Sequence, residues 1–226
     1  MPRCGRQTRV VFSSNRDTPR GFNLYIQAVD GGGAATRLTD EPLAAQFPTD
    51  WSADDQILFD NRPAPATGRD IWSIPAAGGL AQMLFQPPPR ASQGRLSPDG
   101  AWVAYQAPSV SGRDEIYLRA RSVSSKVWQV SLDGGQSPVW SRDGRELFFK
   151  NGDRMMAAEL IAGAELKTAP PKVLFDLPDL LPSYDVTPDG RFLMIERQPQ
   201  PPPQLILVQN WFTELRPEEP PARPPK

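Results

Sequence analysis

An all-β architecture, a β-propeller of four-stranded blades, is the fold class this sequence predicts, and three observations predict it. A short segment recurs: "WSADDQILF" at Trp51, "LSPDGAWVAY" at Leu96, "WSRDGRELFF" at Trp140 and "VTPDGRFLMI" at Val186, with starts 45, 44 and 46 residues apart. A period of ~40–45 residues carrying strand-like pieces marks propeller blades, because each unit is too small to bury its own apolar face and must stack against neighbours. Apolar and polar residues alternate between the copies, as in "DIWSIPA" from Asp70 and "EIYLRAR" from Glu115, which is the period of a half-buried strand. Finally, 27 of the 226 residues are proline, a composition that suits short strands with stiff turns and opposes a helical bundle.

Each piece of the repeat has a physical role. The apolar leader (Trp51, Leu96, Trp140, Val186) ends an inner strand and fills the space between blades. A hydroxyl (Ser52, Ser97, Ser141, Thr187) and an aspartate (Asp54, Asp99, Asp143, Asp189) bond to nearby backbone N–H groups and close a tight turn. Gly100, Gly144 and Gly190 supply the positive φ such a turn needs, and the first copy places Asp55 there instead. The apolar run that follows is the second strand. After a polar loop comes a third strand ("NLYIQAV", "DIWSIPA", "EIYLRAR", "RMMAAEL"), and after a turn a short outer strand ("TRLT", "AQMLF", "WQVS", "KVLF").

The ends are partial. "RVVFSS" from Arg9 matches a second strand without a preceding copy of the motif, and "QLILVQN" from Gln204 a third strand, with "WFTEL" after it. Three complete units and one partial unit at each end are expected. They form either a ring of about five blades or a fragment of a ring of six or more. Residues 1–8 then form an N-terminal extension, 9–215 the propeller and 216–226 a Pro-rich, charged tail without fixed structure.

Composition narrows the function. Twenty-five basic and 26 acidic residues nearly cancel, so no basic surface points to nucleic acid. Histidine is absent, which removes imidazole-activated nucleophiles and His-bearing zinc sites. The lone Cys4 allows no intrachain disulfide. No apolar run approaches the ~20 residues of a membrane span, and the first ten residues lack a signal-peptide core. The chain is expected in the cytoplasm if Met1 is the true start, and outside it if an exported or membrane-anchored parent supplies the leader.

"LSPDGAWVAYQ", "WSRDGRELFFKN" and "VTPDGRFLMIE" resemble the TolB-type, WD-repeat-like propeller repeat of bacteria, over roughly residues 9–212. The string "GRDEIYLRAR…WQVSLDGGQSPVWSRDGRELFF" is closer still to propellers fused behind bacterial serine/threonine kinase domains. The kinase signatures themselves do not occur. Similar propellers precede the hydrolase domain of prolyl-oligopeptidase-type enzymes, whose Gly-x-Ser-x-Gly elbow and histidine are also missing here. The resemblance implies a non-enzymatic binding, scaffold or sensor module, with a propeller gating a hydrolase encoded elsewhere as the alternative. It implies a protein or peptide partner, no cofactor and no metal.

Antiparallel order puts the Ser-x-Asp-Gly turns at one end of the ring and the longer, more varied loops at the other. Binding usually resides in such loops. Candidate partner-binding residues there are Arg69, Asp70, Arg113 and Asp114, alongside Arg16 and Asp17 in the equivalent first loop. They either ring the channel mouth or pin their own loops through ion pairs. Near the axis, Asp50, Arg95, Tyr184 and Asp185 differ from blade to blade, as a specific channel ligand would require. The turn aspartates are expected to be structural, and Trp51, Trp72, Trp102, Trp128 and Trp140 to pack between blades, with Trp211 capping the last.

Overall fold

The computed structural model describes residues 8–63, 68–84, 90–122, 126–161, 167–177 and 180–196. The chain divides into two compact units, Met1–Glu196 and Arg197–Lys226. The expected strand "QLILVQN", Trp211, the Pro-rich tail and all but Thr8 of the N-terminal extension lie outside the described residues.

Every regular element among the described residues is a strand, and all of the strand pairing is antiparallel. The first sheet holds β1 (Arg9–Ser14), β2 (Asn23–Ala28) and β3 (Thr36–Arg37). In the second are β4 (Ala45–Trp51), β5 (Gln56–Arg62), β6 (Asp70–Pro75) and β7 (Gln82–Met83). The third comprises β8 (Ser92–Leu96), β9 (Trp102–Pro108), β10 (Asp114–Ala120) and β11 (Val127–Gln129). β12 (Gln136–Trp140), β13 (Glu146–Asn151) and β14 (Arg154–Ile161) open the fourth, and β14 pairs along its outer side with both β15 (Lys167–Thr168) and β16 (Lys172–Asp176). β17 (Leu180–Val186) and β18 (Phe192–Glu196) form the fifth. Each complete sheet is a blade run in sequence order from inner to outer strand. The three complete units and two partial ones expected from the repeat are therefore present.

The turns close as their chemistry dictates. Ser97 Oγ donates to Asp99 Oδ1 at 2.5 Å and accepts from Trp102 N at 2.8 Å, while Asp99 Oδ1 takes Ala101 N at 3.0 Å. Ser141, Asp143 and Glu146 repeat the arrangement, and Ser52–Asp54 and Thr187–Asp189 make the same hydroxyl–carboxylate bond. The fifth position has φ of 73° at Gly100 and Gly144, and 80° at Gly190. Asp55 adopts the same conformation at 57°, with its Oδ1 accepting from Trp51 Nε1 at 3.1 Å.

Core side chains gather in the seams between sheets rather than within them. Val11, Leu24 and Ile26 of the first sheet meet Trp51, Ile57, Phe59 and Ile74 of the second. Leu58 and Ile71, on the opposite face of the second, meet Leu96, Val103 and Tyr105 of the third. Ala104, Ile116 and Leu118 then meet Trp140, Leu147 and Phe149, and Val139, Phe148 and Met155 meet Tyr184. Strand alternation produces this directly: Ile57 and Phe59 point one way and Leu58 the other. Trp51 and Trp140 are buried, and Trp72, Trp102 and Trp128 pack against these clusters.

All four inner strands carry a bulge, at Pro48/Asp50, Ser92/Arg95, Gln136/Val139 and Leu180/Tyr184. Gln93 and Ser137 occupy the bulges of β8 and β12 with φ of 58° and 54°. The kink turns each amide towards the preceding sheet, where equivalent residues accept it: Asp60 Oδ1 takes Gln93 N at 2.9 Å, and Gln106 Oε1 takes Ser137 N at 2.9 Å. In β4 the equivalent residue is Pro48, which has no N–H to offer. There the preceding sheet supplies a donor instead, Ser13 Oγ, to Gln46 O at 2.5 Å.

Candidate functional site

The antiparallel order sends the β5–β6 and β9–β10 loops, and the β7–β8 link, to the face opposite the Ser-x-Asp-Gly turns. On that face, at the seam between the second and third sheets, lies a cleft of about 480 Å³. Arg62 reaches it from the end of β5, Gly68 and Arg69 from the loop before β6, and Arg90 and Ser92 from the entry to β8. Gln106 and Asp114 close the far side from β9 and β10. Arg90 is held at φ 72°, an uncommon conformation for a side chain of this size. Gly68 lies beside it, where a Cβ would stand 3.4 Å from Arg90 N, at ordinary contact distance.

The lining is electropositive. Arg62, Arg69 and Arg90 are all exposed, and none forms an ion pair or hydrogen bond with a described residue. The carboxylate lining the cleft is Asp114, whose Oδ2 is approached by Gln106 Nε2 and Gln136 Nε2, both at 3.5 Å. Ser92 is 2% exposed, lines the cleft, and its hydroxyl has no hydrogen-bond partner among the described residues. Asp60, 3% exposed, accepts the amide of the next residue, Gln93, at 2.9 Å. Burial pushes the Asp60 carboxyl up to about 7, against the opposing pull of the Gln93 amide and the Arg69 and Arg95 guanidiniums. Arg95 Nε is buried without a hydrogen-bond partner.

A second cleft, of about 550 Å³, lies on the turn face between the third and fourth sheets, walled by Pro98, Trp102, Trp140 and Leu160. Its carboxylates are occupied by the turns. Asp99 Oδ1 holds Ser97 and Ala101, and Asp143 Oδ1 holds Ser141 and Arg145 N. The Ser141 hydroxyl and the Arg145 amide keep Asp143 below the usual carboxylate range, and Thr187 does the same for Asp189. These carboxylates are acceptors held in turns, whereas the arginine cleft holds donors that no described residue satisfies.

The residues singled out from sequence separate cleanly. Arg69 and Asp114 line the cleft. Asp70, the neighbour of Arg69, begins β6 without lining it. Arg113 lies 3.8 Å from Asp133, an exposed pair, whereas Arg16 stacks over Phe12 and Tyr25 (5.2 and 4.9 Å) and Asp17 accepts from Tyr25 Oη at 2.6 Å. Near the axis, both oxygens of Asp50 are taken by backbone amides, Trp51 N at 2.9 Å and Leu96 N at 2.8 Å. Tyr184 Oη donates to Ser137 O at 2.8 Å, and Asp185 Oδ1 accepts Val186 N at 2.8 Å. Asp50 and Tyr184 thus join adjacent inner strands. Arg95 contributes its carbonyl to Trp140 Nε1 at 3.1 Å, and its guanidinium acts electrostatically on Asp60 and Tyr184. Sequence reasoning missed Arg62, Arg90 and Ser92, which stand at strand ends outside the repeated motif. The signal within reach was the change from Asp60 to Gln106 to Lys150 at one repeat position, which marks the second seam as different.

Among the described residues no group of three or more His, Cys, Asp or Glu side chains is arranged to hold a metal ion. No helix there is long and apolar enough to cross a membrane.

No family model matches the chain, and no curated protein matches it. Solved structures do. A putative TolB from Agrobacterium tumefaciens superposes with a TM-score of 0.62 at 19% identity, over 83% of this chain and 69% of that one. TolB from Acinetobacter baumannii gives 0.54 at 15% identity, over 73% of this chain and 41% of its own length. A prolyl endopeptidase structure gives 0.53 at 16% identity, over 84% of this chain and 31% of that chain. The shared feature is the fold: a TolB-type β-propeller, of which this chain spans under half the length of the latter two.

Proposed function

We propose that the chain is a non-enzymatic binding module that engages a protein or peptide partner through its loop-rich face, with the arginine cleft at the centre of the contact. One observation carries this reading. Three exposed guanidiniums converge on a cleft set in a rigid seam, and none of them forms an ion pair or hydrogen bond with a described residue. Arginine is enriched where partners bind, because its planar fork pairs bidentately with carboxylates and carbonyls. A non-catalytic role is supported by the lack of histidine and by the engagement of the turn carboxylates and of Asp50 in backbone hydrogen bonds. In its finer form the module is the sensor domain of a bacterial serine/threonine kinase, a reading supported by the "GRDEIYLRAR…WSRDGRELFF" string. The likeness to the prolyl endopeptidase structure favours a second reading, a propeller that gates a hydrolase domain.

Site-specific photo-crosslinking tests the docking face. A photoreactive residue replacing Ser111 on the loop face should yield adducts with a discrete partner, whereas one replacing Gly33 on the turn face should not; both positions are exposed. Adducts from Gly33 alone would overturn the assignment. Mass spectrometry of the captured chain separates the two readings, since a hydrolase domain bearing a catalytic serine supports gating.

A further inference from the structure

We propose that the seam cleft is a receptor for a carboxylate carried by an acidic peptide segment, gripped by Arg62, Arg69 and Arg90 and completed by the Ser92 hydroxyl. This deepens the docking-face reading and rests on it.

Two independent observations point to an anion. The first is charge without described partners: three guanidiniums at one cleft, none in an ion pair or hydrogen bond with a described residue. Elsewhere on the chain arginines do pair with carboxylates, as Arg37 does with Asp40 at 2.5 Å and Arg121 with Asp54 at 2.9 Å. The second is Ser92. Its side chain is almost wholly buried at the cleft, and its hydroxyl has no partner among the described residues. A hydroxyl that reaches the cleft without a described partner is a donor available to an incoming acceptor. Donors thus face the cleft from both seam walls.

The acceptors choose the kind of anion. Asp114 borders the same space, and only its Oδ2 is approached by described donors. Its Oδ1 remains for a peptide N–H adjoining the bound carboxylate. Asp60, buried and bonded to the Gln93 amide, adds partial negative charge near neutral pH. Two carboxylates among three guanidiniums leave a modest positive excess. That suits a singly charged carboxylate with a neighbouring amide, whereas a compact phosphate dianion would meet Asp114 at close range. The left-handed backbone at Arg90 fixes where its side chain leaves the chain beside Gly68.

The test is a titration of the isotope-labelled whole chain, followed by NMR at the Gly68 and Ser92 amides and the arginine Nε groups. The probes are N-acetyl-triglutamate, inorganic phosphate and N-acetyl-trilysine. Triglutamate should produce saturable shifts at these groups, weakening as salt rises from ~50 to ~500 mM because the contacts are charge-assisted. The double variant R62Q/R90Q should bind it at least about tenfold more weakly. Both arginines are exposed, so the variant should keep the native spectrum elsewhere. Arg145→Gln, on the turn face, should bind as the parent does. Shifts that never saturate, that ignore R62Q/R90Q, or that appear equally with trilysine would overturn the proposal, as would phosphate binding about tenfold tighter than triglutamate. The docking-face reading fails separately: a titration that misses the cleft removes this inference whatever the crosslinks from Ser111 show.

Discussion

Asp60 concentrates the tension in this structure into one side chain. Its carboxyl is buried, it accepts the Gln93 amide across a blade seam, and two arginines face it without an ion pair inside 4 Å. Burial wins, and the group titrates near 7 in the fold against about 3.9 in an unfolded chain. Between those values the folded state binds the extra proton, so stability is greatest below about pH 4 for this group and is lost as pH rises through about 7. Asp60→Asn keeps an oxygen for Gln93 and cannot ionise. The variant should therefore be more stable than the parent at pH 8, on the order of a few kcal/mol, and the gap should narrow steadily as pH falls towards 4. Urea midpoints across that range measure it, and a gap independent of pH would show that Asp60 is ionised throughout.

At the scale of the strand and turn, some of the molecule was legible in the sequence and some was not. The Ser-x-Asp-Gly turns could be read because every bond in them is local: Ser97, Asp99, Gly100 and Trp102 lie within six residues and need no partner from elsewhere. The arginine cleft could not, because Arg62, Arg69 and Arg90 come from three strand ends whose loops differ in length. They meet only at the seam between two sheets, which the sequence does not show. Gly94 sits in the bulge at Ser92/Arg95. Its position lies against Ile71 of the second sheet, where a Cβ would stand 2.8 Å from Cγ2 of a fully buried side chain. Gly94→Ala should therefore force the inner strand off the seam and cost about 1–3 kcal/mol in denaturant unfolding. Gly112→Ala meets no neighbour within 4 Å but sits at φ 80°, so it should lose only the smaller cost of a left-handed alanine. Equal losses at both sites would refute the close approach.

Across the whole molecule, stability is a sum over seams. Each of the four core clusters joins one sheet to the next, and no core cluster among the described residues joins the fifth sheet to the first. Such a chain behaves as a one-dimensional array, in which a unit is held by its own hydrogen bonds and by one or two neighbours. The third sheet has a buried seam on each side, through Tyr105 and Val103 on one and Ile116 and Leu118 on the other. Among the described residues the fifth has one, through Tyr184, and its other face leaves Leu193 and Ile195 43% and 53% exposed. Among the described residues the first sheet is likewise one-sided, with Val10 exposed. A buried aliphatic side chain is worth about 1.5–3 kcal/mol, so a sheet lacking one whole seam should open far more readily than one with two. Amide hydrogen exchange should accordingly rank β9 and β10 above β18, with protection factors apart by about a hundredfold or more. The order should persist in the Asp60→Asn variant, which strengthens the second seam and leaves the last untouched. Uniform protection from β1 to β18 would mean that the sheets unfold as a single unit, and the seam-by-seam account would then fail.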